Sequence, residues 1–209
     1  MSYSQFMWGL SNGVLVLAMA GAFWLALAAF NGGFRVGPAV LIALGAIAVA
    51  VGSVWLRRKA GGFRFSQLKQ GNEAQRLANR RILIGFRWTT VLETLLVGSA
   101  FGICNGIGRQ DLDWPAVGAA VSLHFAPMGY LFRLPLYYVT TALGCLVSLI
   151  ALTQAAPASL WVVGAGMGGV LWATAAFAIL KSELLANHAV PHNSHVLTNL
   201  LGDSKGRLR

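Results

Sequence analysis

Two side chains of this protein could handle a proton in apolar surroundings: Glu93 and His124. Each interrupts a long apolar run, Glu93 within Ile82–Ile107 and His124 within Trp114–Phe132. A carboxyl and an imidazole are natural partners in proton transfer near neutral pH. A carboxylate left alone in hydrocarbon costs several kcal/mol, so Glu93 must be neutral, paired or beside water. Counting along helices puts the two at similar depth. Glu93 lies about 12 residues, or ~18 Å, past Arg81, and His124 about 9 residues, or ~13 Å, before Arg133. Such a pair serves either as a relay or ion site, or as a buried hydrogen-bonded contact that fixes packing. Thr89 shares the Glu93 face, one turn earlier. Arg133 stands between Pro127 and Pro135 and beside Tyr137 and Tyr138. It reads as an interfacial anchor or as a guanidinium that captures an anionic group. Tyr137, Thr141, Gly144, Cys145 and Ser148 form a small, polar stripe on the next helix.

The elements that position these residues follow from composition. The 209 residues are 56% hydrophobic and only 11% charged, with a mean hydropathy of +0.65. Soluble domains carry about 25% charged residues, so this chain cannot clothe a water-facing surface. The expected fold is all-α, a bundle of six transmembrane helices. Spans of about 20 apolar residues fall at Trp8–Phe30, Pro38–Leu56, Ile82–Ile107, Trp114–Phe132, Pro135–Leu152 and Leu160–Leu180. The first span has no Lys or Arg before it and exceeds a leader's ~7–15-residue apolar core, so it reads as a span rather than a cleaved signal. One integral membrane domain accounts for the whole chain.

Orientation comes from the bases. Arg57 to Arg81 is a dense basic loop, with Glu73 its one acid. With six spans and both termini in the cytosol, every Lys and Arg except Arg35 and Arg109 falls inside, as the positive-inside rule requires. Trp8, Trp55, Trp88, Trp114 and Trp161 fall near span ends, where an aromatic belt belongs. The net charge of +10 lies between apolar spans rather than on a soluble face. Anionic lipid headgroups at Arg57–Arg81 are therefore the expected partner, and nucleic acid is not. The plasma (inner) membrane is the expected location. Phe63, Phe65 and Leu68 would let the loop lie partly helical on the headgroups, and the tail from Lys181 to Arg209 reads as solvated.

Glycines suggest how the helices meet. Gly98, Gly102 and Gly106 form a double G-x-x-x-G ridge opposite Thr89 and Glu93, which invites close neighbours. The expectation is that this third helix is covered on both sides and sits centrally. Gly164-Ala165-Gly166-Met167-Gly168-Gly169 matches a dinucleotide fingerprint by letter, but it lies inside an apolar span without a preceding strand. Gly164 and Gly168 are read as helix-packing positions. Cys104 and Cys145 read as small buried hydrophobes. His188, His192 and His195 lack a completing ligand set, so neither a metal nor a cofactor is expected.

The stretch LHFAPMGYLFRLPLYYVTT, Leu123 to Thr141, resembles a segment shared by small, uncharacterised bacterial polytopic inner-membrane proteins. Their pattern runs G-L-H-F-x-P-L to L-F-R-x-P-L-Y-Y-x-T-G. Ser122 and Thr141 depart from it, and the likeness covers about residues 117–141. The resemblance implies a polytopic membrane protein and marks His124, Pro127, Arg133, Pro135, Tyr137 and Tyr138, without giving any of them a role.

Three functions are compatible with these features. One is a small transporter or proton-linked permeation protein using Glu93 and His124. Another is an accessory or scaffold protein that packs on a membrane partner, or on a second copy, through glycine faces. An intramembrane enzyme is disfavoured: the sequence holds no H-E-x-x-H and no aspartate pair within a span.

Overall fold

A computed structural model describes residues 3–31, 37–61, 63 and 73–189. The chain is all-helical there: α1 (Tyr3–Asn31), α2 (Gly37–Lys59), α3 (Glu73–Gly106), α4 (Asp113–Phe132), α5 (Pro135–Leu152), α6 (Ala158–Leu180) and a short α7 (Ser182–Ala189). A 3-10 turn, Gln110–Leu112, joins α3 to α4. Among the described residues, four helices are long and apolar enough to cross a membrane: Tyr3–Asn31, Arg80–Gly106, Pro135–Leu152 and Ala158–Leu180. Asp113, His124, Pro127, Gly118 and Gly129 dilute the hydropathy of α4.

Successive helices run antiparallel, and the contacts show why. On α1 and α6, Gly21 approaches Gly168, and the Trp172 Nε1–H donates to the Ala18 carbonyl at 3.1 Å. A Cβ on Gly164 would meet the α1 backbone at Trp24 and Ala28, and one on Gly168 would meet Leu25. These glycines therefore set the closest helix pair. The Trp172 indole fills a socket between α1 and α2: a Cβ on either Gly21 or Gly45 would overlap its ring. On α4 and α5, Gly118 faces Ser148 and Gly144 faces Ser122. Small residues bring the backbones close, and their hydroxyls turn back onto their own helix, Ser122 to Gly118 and Ser148 to Gly144. Thr140 and Thr174 join α5 to α6 by a buried 2.8 Å hydrogen bond.

The third helix departs from expectation. α3 packs chiefly on α4, through Gly85 against Leu131 and Thr89 against Met128, and forms the edge of the bundle rather than its centre. Gly98, Gly102 and Gly106 have nothing within 4 Å of a built Cβ. The ridge is real, but it faces away from the other described helices. A small-residue stripe announces close approach without saying to what.

The polar ends also hold corrections. The tail does not leave the bundle at Lys181: Ser182, Leu185 and Ala186 of α7 are buried. Glu183 is clamped to two other elements. The Tyr3 hydroxyl donates to its carboxylate at 2.9 Å, and Lys59 pairs with it while lying over the Trp55 ring. These charge-assisted bonds, Lys59 first and then Tyr3, hold the Glu183 carboxyl below its ordinary range. Of the basic loop, Arg57–Lys59 extends α2 and Glu73–Arg81 opens α3, so helix claims both ends. Phe65 and Leu68 lie outside the described residues, as do His192, His195 and the His188 side chain.

Candidate functional site: a Glu–His pair on a cleft between α1, α3 and α4

On the basic half of the bundle, α1 and α3 stand apart and leave a cavity of about 460 Å³. Gln5 to Ala20 of α1, Ile82 to Glu93 of α3 and Val121 to Phe132 of α4 supply its walls. Tyr137 and Leu171 close the back, with Tyr137 stacked on Phe125 at a centroid distance of 5.9 Å. Gly9 and Val16 on one side, and Leu83, Phe86 and Thr90 on the other, line the cavity while themselves exposed. The cavity therefore opens sideways between α1 and α3.

Beyond the lining, aromatic rings fill the space between α1 and α3. Trp114 of α4 lies 6.0 Å from Phe23 and from Trp24 of α1, and 5.9 Å from Phe101 of α3. It is half-buried as a wedge between the two helices. Belt statistics place a tryptophan at a helix end, but do not say that it turns inward.

Glu93 and His124 meet on the cavity wall. The glutamate oxygen Oε1 is 3.7 Å from Nδ1, close enough for an ion pair but too long for a hydrogen bond. Nδ1 is instead 2.5 Å from the Val121 carbonyl. A carbonyl can only accept, so the proton of a neutral His124 sits on Nδ1 and Nε2 carries the lone pair. Neither Nε2 nor the Glu93 carboxyl has a hydrogen-bond partner among the described residues. The Glu93 side chain is 35% exposed and that of His124 13%. Both groups thus keep their hydrogen-bonding capacity for whatever enters the cavity, which buried polar groups rarely do.

Other candidates divide. Thr89 is buried on the wall, donating to the Phe86 carbonyl at 2.8 Å, and Tyr137 lines the back. Thr141 spends its hydroxyl on the Tyr137 carbonyl and is not part of the lining. Arg133 is exposed, also outside the lining, and takes the left-handed conformation at φ 54° that ends α4. The Leu134 N–H reaches back to the Gly129 carbonyl at 3.0 Å, a helix stop that lets Pro135 begin α5. The Arg-Leu-Pro run is thus a corner between helices.

A polar cluster at the base of the cleft was missed. Ser11 and Ser53 are buried and bond reciprocally: each hydroxyl donates to the other's backbone carbonyl, at 2.9 and 3.0 Å. Arg57 joins them, with Nη2 2.7 Å from the Asn12 amide oxygen. Asn12 lines the cavity. Only the serines' common depth signals the contact.

The fold and the site define a helical protein with membrane-length helices and an apolar cleft that bears one acid and one imidazole. No family model matches this chain, and neither does a curated protein or a solved structure.

Proposed function

We propose that this is a multi-pass plasma-membrane protein, with six spanning helices and both ends in the cytosol, that couples proton movement to passage of a small solute. The observation that carries the reading is the Glu93–His124 pair, 3.7 Å apart across α3 and α4 on the wall of an open cavity. Intramembrane ionisable groups are expensive and mark pathways by default. α2 runs antiparallel to α1, and α4 to α3 and α5, which supports six crossings. The bases at one end support the orientation. The cleft lies in the basic half, opens sideways between α1 and α3 and ends short of the Trp114 wedge, as one state of an alternating-access cycle would. In that cycle Glu93 holds the proton, and His124, oriented by Val121, offers Nε2 as a second site.

The test is proton flux into liposomes containing the purified protein and a trapped pH dye, under an imposed potential. A Glu93→Gln variant that folds but carries no proton supports the reading; unchanged flux removes it.

The open face of Gly98, Gly102 and Gly106 favours a second reading, in which α3 docks another membrane helix. A Gly102→Leu variant that loses a stoichiometric partner or a dimer in lipid nanodiscs supports it. A wild-type protein that is monomeric and partnerless there counts against it.

A further inference from the structure

The lining of the cleft narrows the kind of solute. Among its residues only Glu93 and His124 can bear charge near neutral pH, and Tyr137 is the one other titratable group. Asn12 and Gln5 on α1, Thr89 and Thr90 on α3 and Leu171 on α6 add no charge. The bases Arg57 and Arg133 are outside the lining, and Arg57 is tied to Ser11 and Asn12. With His124 neutral, the site therefore carries either no charge or one negative charge, depending on Glu93.

Rings line the same cavity. Phe86 lies two turns before Glu93 on the same face, and Phe125, Tyr137, Phe6, Trp8 and Phe132 complete an aromatic wall. Aromatic faces attract cations, most strongly where water is excluded. A carboxylate in an apolar, ring-lined cleft lacks a positive partner that does not itself need water. A volume of about 460 Å³ suits one drug-sized molecule. The sideways opening between α1 and α3 admits a solute already dissolved in the bilayer.

We propose that the cleft binds a lipophilic organic cation, a quaternary ammonium or phosphonium with an apolar body, in exchange for the proton of Glu93. The proposal rests on the proton-linked reading above and deepens it. The exchange is balanced: the carboxyl proton leaves to water, the cation takes its place against the carboxylate, and no covalent bond is made. Binding and proton loss are therefore one event, and a cation competes with H⁺ for the site. Protonation of His124 opposes the cation as well, so both groups make binding weaken as pH falls.

The probe is tetraphenylphosphonium, titrated into the full-length protein in detergent. Binding is followed by calorimetry in two buffers of different ionisation enthalpy, which counts protons released. The expected result is saturable binding that releases about one proton per cation and weakens as pH is lowered. Glu93→Gln, checked by circular dichroism and gel filtration, should bind about tenfold more weakly or worse, as loss of a charged partner in a dry site does. Glu93→Asp should keep the proton release. Binding that survives Glu93→Gln unchanged, or releases no proton, overturns the proposal. So does a neutral long-chain alcohol competing equally well. If the cation does not bind while Glu93-dependent proton flux persists in liposomes, the ligand class is wrong and the proton-linked reading stands. If both are absent, both fall.

Discussion

Substituting Gly45 by alanine tests the packing that holds the cleft's first wall in place. Gly45 on α2 and Gly21 on α1 form a socket for the Trp172 indole of α6, and a methyl group at Gly45 would overlap the six-membered ring. The ring cannot slide away freely. Its Nε1–H is held by the Ala18 carbonyl at 3.1 Å, and the Gly21 backbone lies on its other side. Overpacking of this kind costs about 1–3 kcal/mol, and losing the indole hydrogen bond adds about 1 kcal/mol. Alanine's helix propensity returns up to about 1 kcal/mol. The expected net loss is about 1–3 kcal/mol, read as a lower midpoint of thermal unfolding in detergent, followed by tryptophan fluorescence. Trp172→Phe should be destabilising alone, yet should relieve part of the Gly45→Ala penalty when the two are combined. That non-additivity is the signature of direct contact. If Gly45→Ala is neutral, or if the two effects simply add, the socket does not hold α1, α2 and α6 together as described.

Three further outcomes follow from other contacts. Ser53→Ala should cost about 1 kcal/mol, because it removes the donor to the Ser11 carbonyl and half of the reciprocal pair; a denaturation series in mild detergent reads it. Trp114→Ala should unplug the far end of the cleft, so that a cysteine placed at Ala20 becomes reactive to a thiol reagent added from the side opposite the basic end. Protection equal to wild type would mean that Trp114 is not the stopper. The Glu183 clamp should respond to acid. Its native carboxyl titrates below the ordinary value near 4.5, so its contribution is complete above that value and is lost as pH falls through the lower one. The pair is exposed, so the contribution is under about 1 kcal/mol. Glu183→Gln should have a flatter midpoint-against-pH curve than wild type below about pH 5.

Depth was legible in the sequence, and direction was not. Counting from Arg81 and Arg133 placed Glu93 and His124 level, and they do adjoin, because helix rise is constant. The same arithmetic could not say that Nδ1 would turn to Val121 rather than to Glu93. The glycines of α6 mark a tight approach that the structure shows to be on α1. Those of α3 have the same spacing and meet none of the described residues, since spacing records a shape and not an occupant. Gly21 and Gly45 show no period at all, because one bulky Trp172 needs two isolated gaps rather than a ridge. Trp114 was readable as a residue of the helix end, yet its ring points between helices. The clamped start of the tail was hidden because Ser182, Leu185 and Ala186 make too short an apolar pattern to separate from a loop.

The proposed function requires Glu93 to stand within the membrane, in a cleft reached through the lipid. Carboxyl modification by two carbodiimides, one lipid-soluble and one water-soluble, addresses it most directly, with sites assigned by mass spectrometry on protein in native membranes. The lipid-soluble reagent is expected to label Glu93, and the water-soluble one to label Asp111 and Glu183 while sparing Glu93. Labelling of Glu93 by the water-soluble reagent, or by neither, would show that the carboxyl is not reached through the lipid.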